Sequence, residues 1–349
     1  MANQTFNLRN SSVVSLNIPH TVGVPVHTPL TINGETYTLA MDVHSVRSPF
    51  YEVKVQVAGG QYVPGEAAPV NTLHGQIAEV PGSVAAGAMM DDGLYATMHF
   101  PNGDRYWLEP MVGRVPGAVE GQYVLYNGLD VIPSGGTCGV KGDQHPLAAE
   151  GPVDVQGGIA ADGADVCVDL GVDTDVEYFN HYGSTTAVQN RINLVVSTMN
   201  VQYETQVDIQ HVITTIIVRT AEPDPYSSTN PDTLLNQFIN EWNANQTSII
   251  HDVAQMYSGK EWDGSVIGLA PLSSVCTSSG YCIVQSDCCG SLSCSTDLSA
   301  HELGHTWSAV HCNCPGETMN PSITCANFFG AATVNDIVNF RNTRTCIAP

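Results

Sequence analysis

Positive charge is scarce in this chain. Its 349 residues carry 11 Lys and Arg against 34 Asp and Glu, a formal net charge of −23 with a pI near 4.5. Without a basic patch to meet phosphates, nucleic-acid binding is excluded as a main activity. The acidic residues are spread along the chain, which reads as solubility or salt tolerance rather than as a site. No apolar run approaches the length of a membrane span. The N-terminus, MANQTFNLRNSSVVSLNIP, lacks the charged stretch followed by an apolar stretch that marks a secretion signal. The first half is nearly free of cysteine as well. Of eleven, only Cys138 precedes Cys167, and the rest stand at 276, 282, 288, 289, 294, 312, 314, 325 and 346. That density implies an oxidising, extracellular or periplasmic destination, so secretion is expected despite the missing signal. Ten cysteines would pair as five disulfides and leave one thiol.

Histidine is scarce too, 12 in all, yet residues 301–311 read HELGHTWSAVH. On a helix, His301 and His305 project from one face. Two imidazoles at that spacing suit one zinc ion, with Glu302 beside them as general base. His311 supplies a third ligand, leaving a fourth position for water. Residues 312–325, CNCPGETMNPSITC, place Met319 in a Pro/Gly-rich turn eight residues further on. The alternative for Met319 alone is ordinary core filler; for the histidines, a surface helix without metal.

Length suggests two units. Residues 1–135 read as all-β, with Asn33-Gly34 joining one hairpin and Asn102-Gly103 joining residues 93–100 to 104–110. Residues 51–57 alternate after a break at Ser48-Pro49. Residues 141–165 are Gly/Ala/Asp-rich and aperiodic, as a linker would be. Mixed α and β follow. Residues 166–173, 209–220 and 265–272 read as strands. Residues 185–204 show helical spacing through Val188, Ile192, Val195 and Met199, and a helix opens at Asn230-Pro231-Asp232. Ser295 or Thr296 is expected to cap the histidine helix, and residues 334–343 read as a last helix.

HExxHxxxxxH followed by a Met resembles the metzincin signature. The second half resembles the adamalysin (reprolysin) branch, through VDTDVEYFNHYGS (172–184), YETQVDIQHVITTIIVRT (203–220), LLNQFINEW (234–242) and GSVIGLAPLSSVC (264–276). Residues 73–111 resemble that family's propeptide. The resemblance implies an α+β fold: a metzincin-type catalytic domain over 166–349, preceded by an all-β propeptide domain over 1–140. The catalytic domain would have a twisted, mostly parallel sheet with an antiparallel edge strand, an active-site helix and a Met-turn. The linker 141–165 would hold the activation cleavage. Lys141 is its one basic residue, so it carries no dibasic site. Cys138, in Thr-Cys-Gly-Val, would act as a cysteine switch, its thiolate filling zinc's open position in the latent form.

The resemblance further implies an extended peptide substrate along an exposed edge strand at 266–271, using Gly268, Leu269 and Ala270, with Ser322 and Ile323 walling a pocket. Cys276 would pair with Cys346. A family calcium site would use Asp169 and Asp252, but Pro349 stands where its Asn is expected, which argues against calcium. Other departures are Cys312 in place of Asp and Ser308 in place of Gly. A bend there favours positive φ, which costs a non-glycine residue about 1–2 kcal/mol. No Tyr follows Met319 closely, so a tyrosine ligand is not indicated. The expected activity is a monomeric, secreted zinc endopeptidase acting on protein or peptide substrates, with its own propeptide as inhibitor. The alternatives are an inactive zincin that binds metal or mediates adhesion, and a zinc hydrolase with a non-peptide substrate.

Overall fold

The computed structural model describes residues 1–140, 166–286 and 290–347; the linker 141–165, Cys288, Cys289 and Pro349 lie outside them. A single helical turn, α1 (Ala2–Thr5), opens the chain. The strands β1 (Ser12–Ser15), β2 (Val26–Ile32), β3 (Glu35–Val43), β4 (Arg47–Val57), β5 (Gln61–Pro64), β6 (Thr72–Ile77), β7 (Val84–Met90), β8 (Gly93–His99), β9 (Arg105–Pro110), β10 (Gln122–Asn127) and β11 (Thr137–Cys138) follow. Asn33 and Gly34 both take positive φ, 52° and 88°, as a type I′ turn requires, and pair β2 with β3 through Ile32↔Glu35. The expected hairpin at Asn102-Gly103 joins β8 to β9 through His99↔Arg105. The first sheet runs β1-β10-β9-β8-β7-β6-β3-β2, antiparallel throughout.

The second half supplies β12 (Val166–Thr174), α2 (Val176–Tyr182), α3 (Thr185–Val207), β13 (Ile209–Arg219), α4 (Pro231–Asn245), β14 (Val253–Ser258), β15 (Val266–Leu269), β16 (Tyr281–Gln285), α5 (Leu292–Thr306) and α6 (Ala331–Arg341). The second sheet runs β11-β15-β16-β14-β12-β13-β4-β5. Strands β16, β14, β12, β13 and β4 are parallel, while β15 is antiparallel to β16 and β5 to β4. Thus β4, β5 and β11, all from the first 140 residues, belong to the second sheet. The expected break at Ser48-Pro49 lies in the pairing and not in the bounds of the strand: β4 runs from Arg47 through it, but the register with β13 jumps from Arg47↔Ile213 to Glu52↔Thr215. Pro49 lies before β5 joins at Lys54, so it needs no partner on that side.

Helix α3 lies between the sheets, touching β6, β7 and β8 on one side and β13 and α5 on the other. Val188, Ile192, Val195, Met199 and Tyr203 are buried in the core that spans both layers. The opposite face is polar, yet Gln189, Asn193 and Ser197 are also buried. Gln189 bonds Glu66 O, Ala68 N and Tyr51 Oη, and Ser197 donates to Gly87 O, all groups of the N-terminal region. At the far end of β13, the buried Arg219 pairs with Asp173 through two nitrogens, at 2.9 and 2.7 Å. Asp173 also accepts from Trp242 Nε1 and Tyr226 Oη.

His211 on β13 is fully buried, accepts from Trp307 Nε1 at 3.3 Å, and is held down to about 3 by burial. The unfolded chain takes up this proton near pH 6.5, so it binds more protons than the native state between pH 6.5 and 3, and stability falls as pH falls there. Urea unfolding at pH 7 and pH 5 should show the parent losing about 2 kcal/mol more than His211→Gln over that step. Parallel losses would remove His211 as the cause.

Candidate metal centre and cleft

Helix α5 is fastened at its start from two directions. Ser291 caps it, accepting from Cys294 N at 3.4 Å; Ser295 and Thr296, the expected caps, lie inside the helix. Glu109 on β9 accepts from Leu292 N at 3.0 Å, placing a carboxylate at the positive end of the helix. Glu109 is itself held by Tyr126 Oη and Arg114. The Cys294–Cys325 disulfide ties the first turn to the loop that carries Met319.

The helix stops at Thr306, and Ser308 takes φ 77°. That left-handed residue turns the chain back, with Ser308 N bonding His305 O and Ala309 N bonding Gly304 O. His311 is thereby brought over the helix. The three Nε2 atoms of His301, His305 and His311 lie 3.0, 3.2 and 3.3 Å apart. Tetrahedral zinc with nitrogen ligands at 2.0–2.1 Å separates them by roughly 3.3 Å, so the set fits that ion. The other ring nitrogens are committed: His301 Nδ1 donates to Thr318 O at 2.6 Å and His305 Nδ1 to Ala309 O at 2.7 Å. This tautomer leaves each Nε2 lone pair free for a metal. Burial keeps the rings neutral, the ligating form; His301 is pushed down to about 3, and His305 and His311 are also lowered.

Cys138 completes the cluster. Its Sγ lies 3.4 Å from His305 Nε2 and 3.5 Å from Glu302 Oε2. Glu302 is fully buried, its Oε1 has no partner among the described residues, and burial pushes its carboxyl up to about 8. Gly268 is required beside it, since a Cβ there would stand 2.1 Å from Glu302 Oε1. Met319 is buried with its sulfur 2.8 Å from where a Cβ on Gly304 would lie.

The segment around Cys138 occupies the cleft. β11 pairs in parallel with β15, Cys138 opposite Gly268, and Gly139 N bonds Gly268 O at 2.9 Å. On the other side Cys138 N bonds Pro321 O and Ile323 N bonds Gly136 O, both at 2.9 Å. The strand edge expected to be exposed at 266–271 is therefore covered, and Leu269, Ala270 and Ile323 are buried while Ser322 stays exposed. Asp169 and Asp252 lie apart from this cluster, exchanging main-chain and side-chain bonds of 2.8 and 2.9 Å. Nearby, Cys276 and Cys346 form a disulfide, and Asp252 lies close to both sulfurs. A disulfide sulfur is a poor partner for a hard cation.

The cysteine arithmetic fails. Among the described residues, disulfides join Cys276–Cys346, Cys294–Cys325 and Cys312–Cys314, while Cys138 and Cys282 are thiols. Five pairs that leave Cys138 alone are excluded because Cys282 is sealed inside β16, where Gln255 Nε2 donates to its sulfur. What distinguishes Cys138 is its position, not its oddness.

Asp297 escaped the sequence reading. One turn before His301 and fully buried, it accepts from Thr318 Oγ1 (2.6 Å), Asn327 N (2.9 Å), Ala326 N (3.2 Å) and Thr324 Oγ1 (3.3 Å). It pins the loop whose Thr318 carbonyl orients His301. Its spacing of four from His301 was the available signal.

Replacing Ser308 with Gly tests the bend. Relief of about 1–2 kcal/mol of left-handed strain outweighs the roughly 0.4–1 kcal/mol by which Gly loosens the unfolded chain. Ser308→Gly also loses one exposed bond, from Ser273 Oγ. A net gain below about 1 kcal/mol is expected in urea unfolding, and a loss would mean that the Ser273 contact dominates.

Three neutral imidazoles, a buried carboxylate and a thiol thus converge on one point, on a helix laid against a mixed sheet. A family model described as metallo-peptidase family M12 (Reprolysin_5) matches residues 165–339, the part of the chain that carries the three histidines and Glu302. By that match over half its length, the chain belongs to metallo-peptidase family M12.

Proposed function

We propose that this protein is a secreted, zinc-dependent endopeptidase held latent by its own N-terminal region. The observation that carries the reading is the convergence of three Nε2 atoms within 3.3 Å of one another, with Cys138 Sγ at 3.4 Å from one of them. His301, His305 and His311 would hold zinc. When bound, the ion supplies Lewis acidity, polarising a peptide carbonyl and acidifying a water. Glu302, raised above the usual carboxylate range by burial, takes the water's proton and delivers it to the leaving amine. Met319 forms the Met-turn beneath the histidines. Gly268, Leu269 and Ala270 offer strand edge to an extended peptide once residues 136–139 leave, and Ser322 and Ile323 line the far wall. In the latent state Cys138 would hold the zinc together with the three histidines, and its segment fills the groove that substrate would use. Cleavage within 141–165 would be the first step towards freeing the cleft, which opens when residues 136–139 leave. The disulfides are in keeping with an extracellular protein, and among the described residues no helix is long and apolar enough to cross a membrane. Calcium is not part of the reading, because the Asp252 carboxylate already accepts from Asp169 N and Pro349 stands where the family's Asn is expected.

Two substitutions test it. Glu302→Gln should keep stoichiometric zinc and lose roughly 10²–10⁴ in hydrolysis of a casein-like substrate after processing, the contribution of a general base. Full activity with zinc retained would remove Glu302 from that role. Cys138→Ala should hydrolyse the same substrate before any cleavage of the linker, at a rate well above the unprocessed parent. A variant as latent as the parent would mean that groove occupancy alone, without the thiol, enforces latency.

A further inference from the structure

Both edges of the second sheet are closed by strands from the first 140 residues. Three strands, β16, β14 and β12, separate β15, against which Cys138 of β11 pairs, from the opposite pairing of β4 with β13. That far edge takes no part in the cluster of Cys138, His301, His305 and His311, yet it has a specific lock. Gln56 on β4 is 2% exposed and aligned with Arg219. Its main-chain oxygen accepts from Thr220 N at 2.9 Å and from Thr220 Oγ1 at 2.8 Å. Its side-chain nitrogen donates to Ala221 O at 3.2 Å and Pro223 O at 2.9 Å, and its side-chain oxygen accepts from Arg219 Nη1. Tyr62 Oη on β5 accepts from the same Nη1 at 2.7 Å. Arg219 is 1% exposed, and its remaining nitrogens are bound to Asp173, Tyr226 and Glu241. The hairpin therefore supplies both acceptors of one buried guanidinium nitrogen, and every polar atom of Gln56's side chain is met.

We infer that the β13 edge, ending in Arg219 and residues 220–223, is a strand-docking site that holds the N-terminal region independently of the Cys138 thiol. Its occupant is the β4–β5 hairpin of this chain. Cutting the linker then does not release the N-terminal region. Departure requires that Gln56 and Tyr62 leave Arg219, with the cost of exposing or stranding a charged donor. The inference rests on the proposed reading only in treating departure as the step that opens the cleft; docking itself is independent of peptidase activity. The charge on Arg219 is set by Asp173 and does not depend on zinc.

The test uses the full chain cut within 141–165 by limited proteolysis, with zinc stripped by a chelator so that the thiol has no metal to bind. Size-exclusion chromatography is expected to show both fragments co-eluting, in the parent and in Cys138→Ser. Gln56→Ala should release the N-terminal fragment roughly ten- to a hundredfold faster, as loss of hydrogen bonds to a charged group predicts. Tyr62→Phe, which keeps the strand and removes one acceptor, should accelerate release less, and it decides the matter where Gln56→Ala does not fold. The α3 contacts are common to all variants, so the rate difference isolates the edge. Equal rates in parent and variants, or prompt separation caused by Cys138→Ser alone, would overturn the inference. Failure of the separated C-terminal fragment to cleave casein would instead count against the peptidase reading and leave the docking result intact.

Discussion

A histidine ligates a metal only through a neutral nitrogen held in direction, and this structure is organised around supplying three of them. The proton on the other ring nitrogen needs an acceptor, and two main-chain carbonyls provide it for His301 and His305. Each carbonyl has its own support. Ala309 O is where it is because Ser308 turns left-handed and folds the chain back onto the end of α5. Thr318 O is where it is because Asp297 gathers the loop from Thr318 to Asn327 with four bonds. Since Asp297 and His301 stand on successive turns of α5, helix and loop cannot shift separately.

The small residues around the centre follow from the same crowding. Gly304 is in contact with the Met319 sulfur, and Gly268 with the Glu302 carboxylate, at distances that no Cβ could share. Within the HELGH run, Gly304 thus has a packing reason distinct from metal binding: it lets Met319 rise against the helix between the two ligand turns. Gly268 serves both sides of the cleft. It admits Glu302 from the helix side while its carbonyl accepts from Gly139 on the other.

What was legible in the sequence is what depends on local spacing. The i, i+4 histidines, the Asn33-Gly34 turn, and the apolar stripe of α3 each follow from the period of one element, and each was found where expected. Partner choice was not legible. Residues 51–57 alternate as a strand in any sheet, and nothing within them says that β4 leaves its neighbours in sequence to pair with β13, more than 150 residues away. Asp297 offered only its spacing from His301, for a related reason: a lone acidic residue in a helix becomes an anchor only when a distant loop brings it donors. The disulfide parity argument assumed that every cysteine finds another, but Cys282 is fixed by a strand interior that offers it Gln255 instead.

The contact between the N-terminal region and the rest has two chemically different parts. Over α3 apolar side chains share one core with the N-terminal strands, but the polar groups there are imperfectly met: Gln189 and Ser197 have N-terminal partners, while the amide of Asn193 is buried with no partner among the described residues. A buried, unmet amide costs about 1–3 kcal/mol, and water would relieve it. Over β13 the opposite holds, because Gln56 is fully satisfied and Arg219 would be left wanting. The N-terminal region thus has a local polar mismatch at its middle and a fully met lock at its far edge. Under the proposed reading, the thiol at the cleft governs whether the centre works, and the far edge governs how long the N-terminal region remains near enough to close it again.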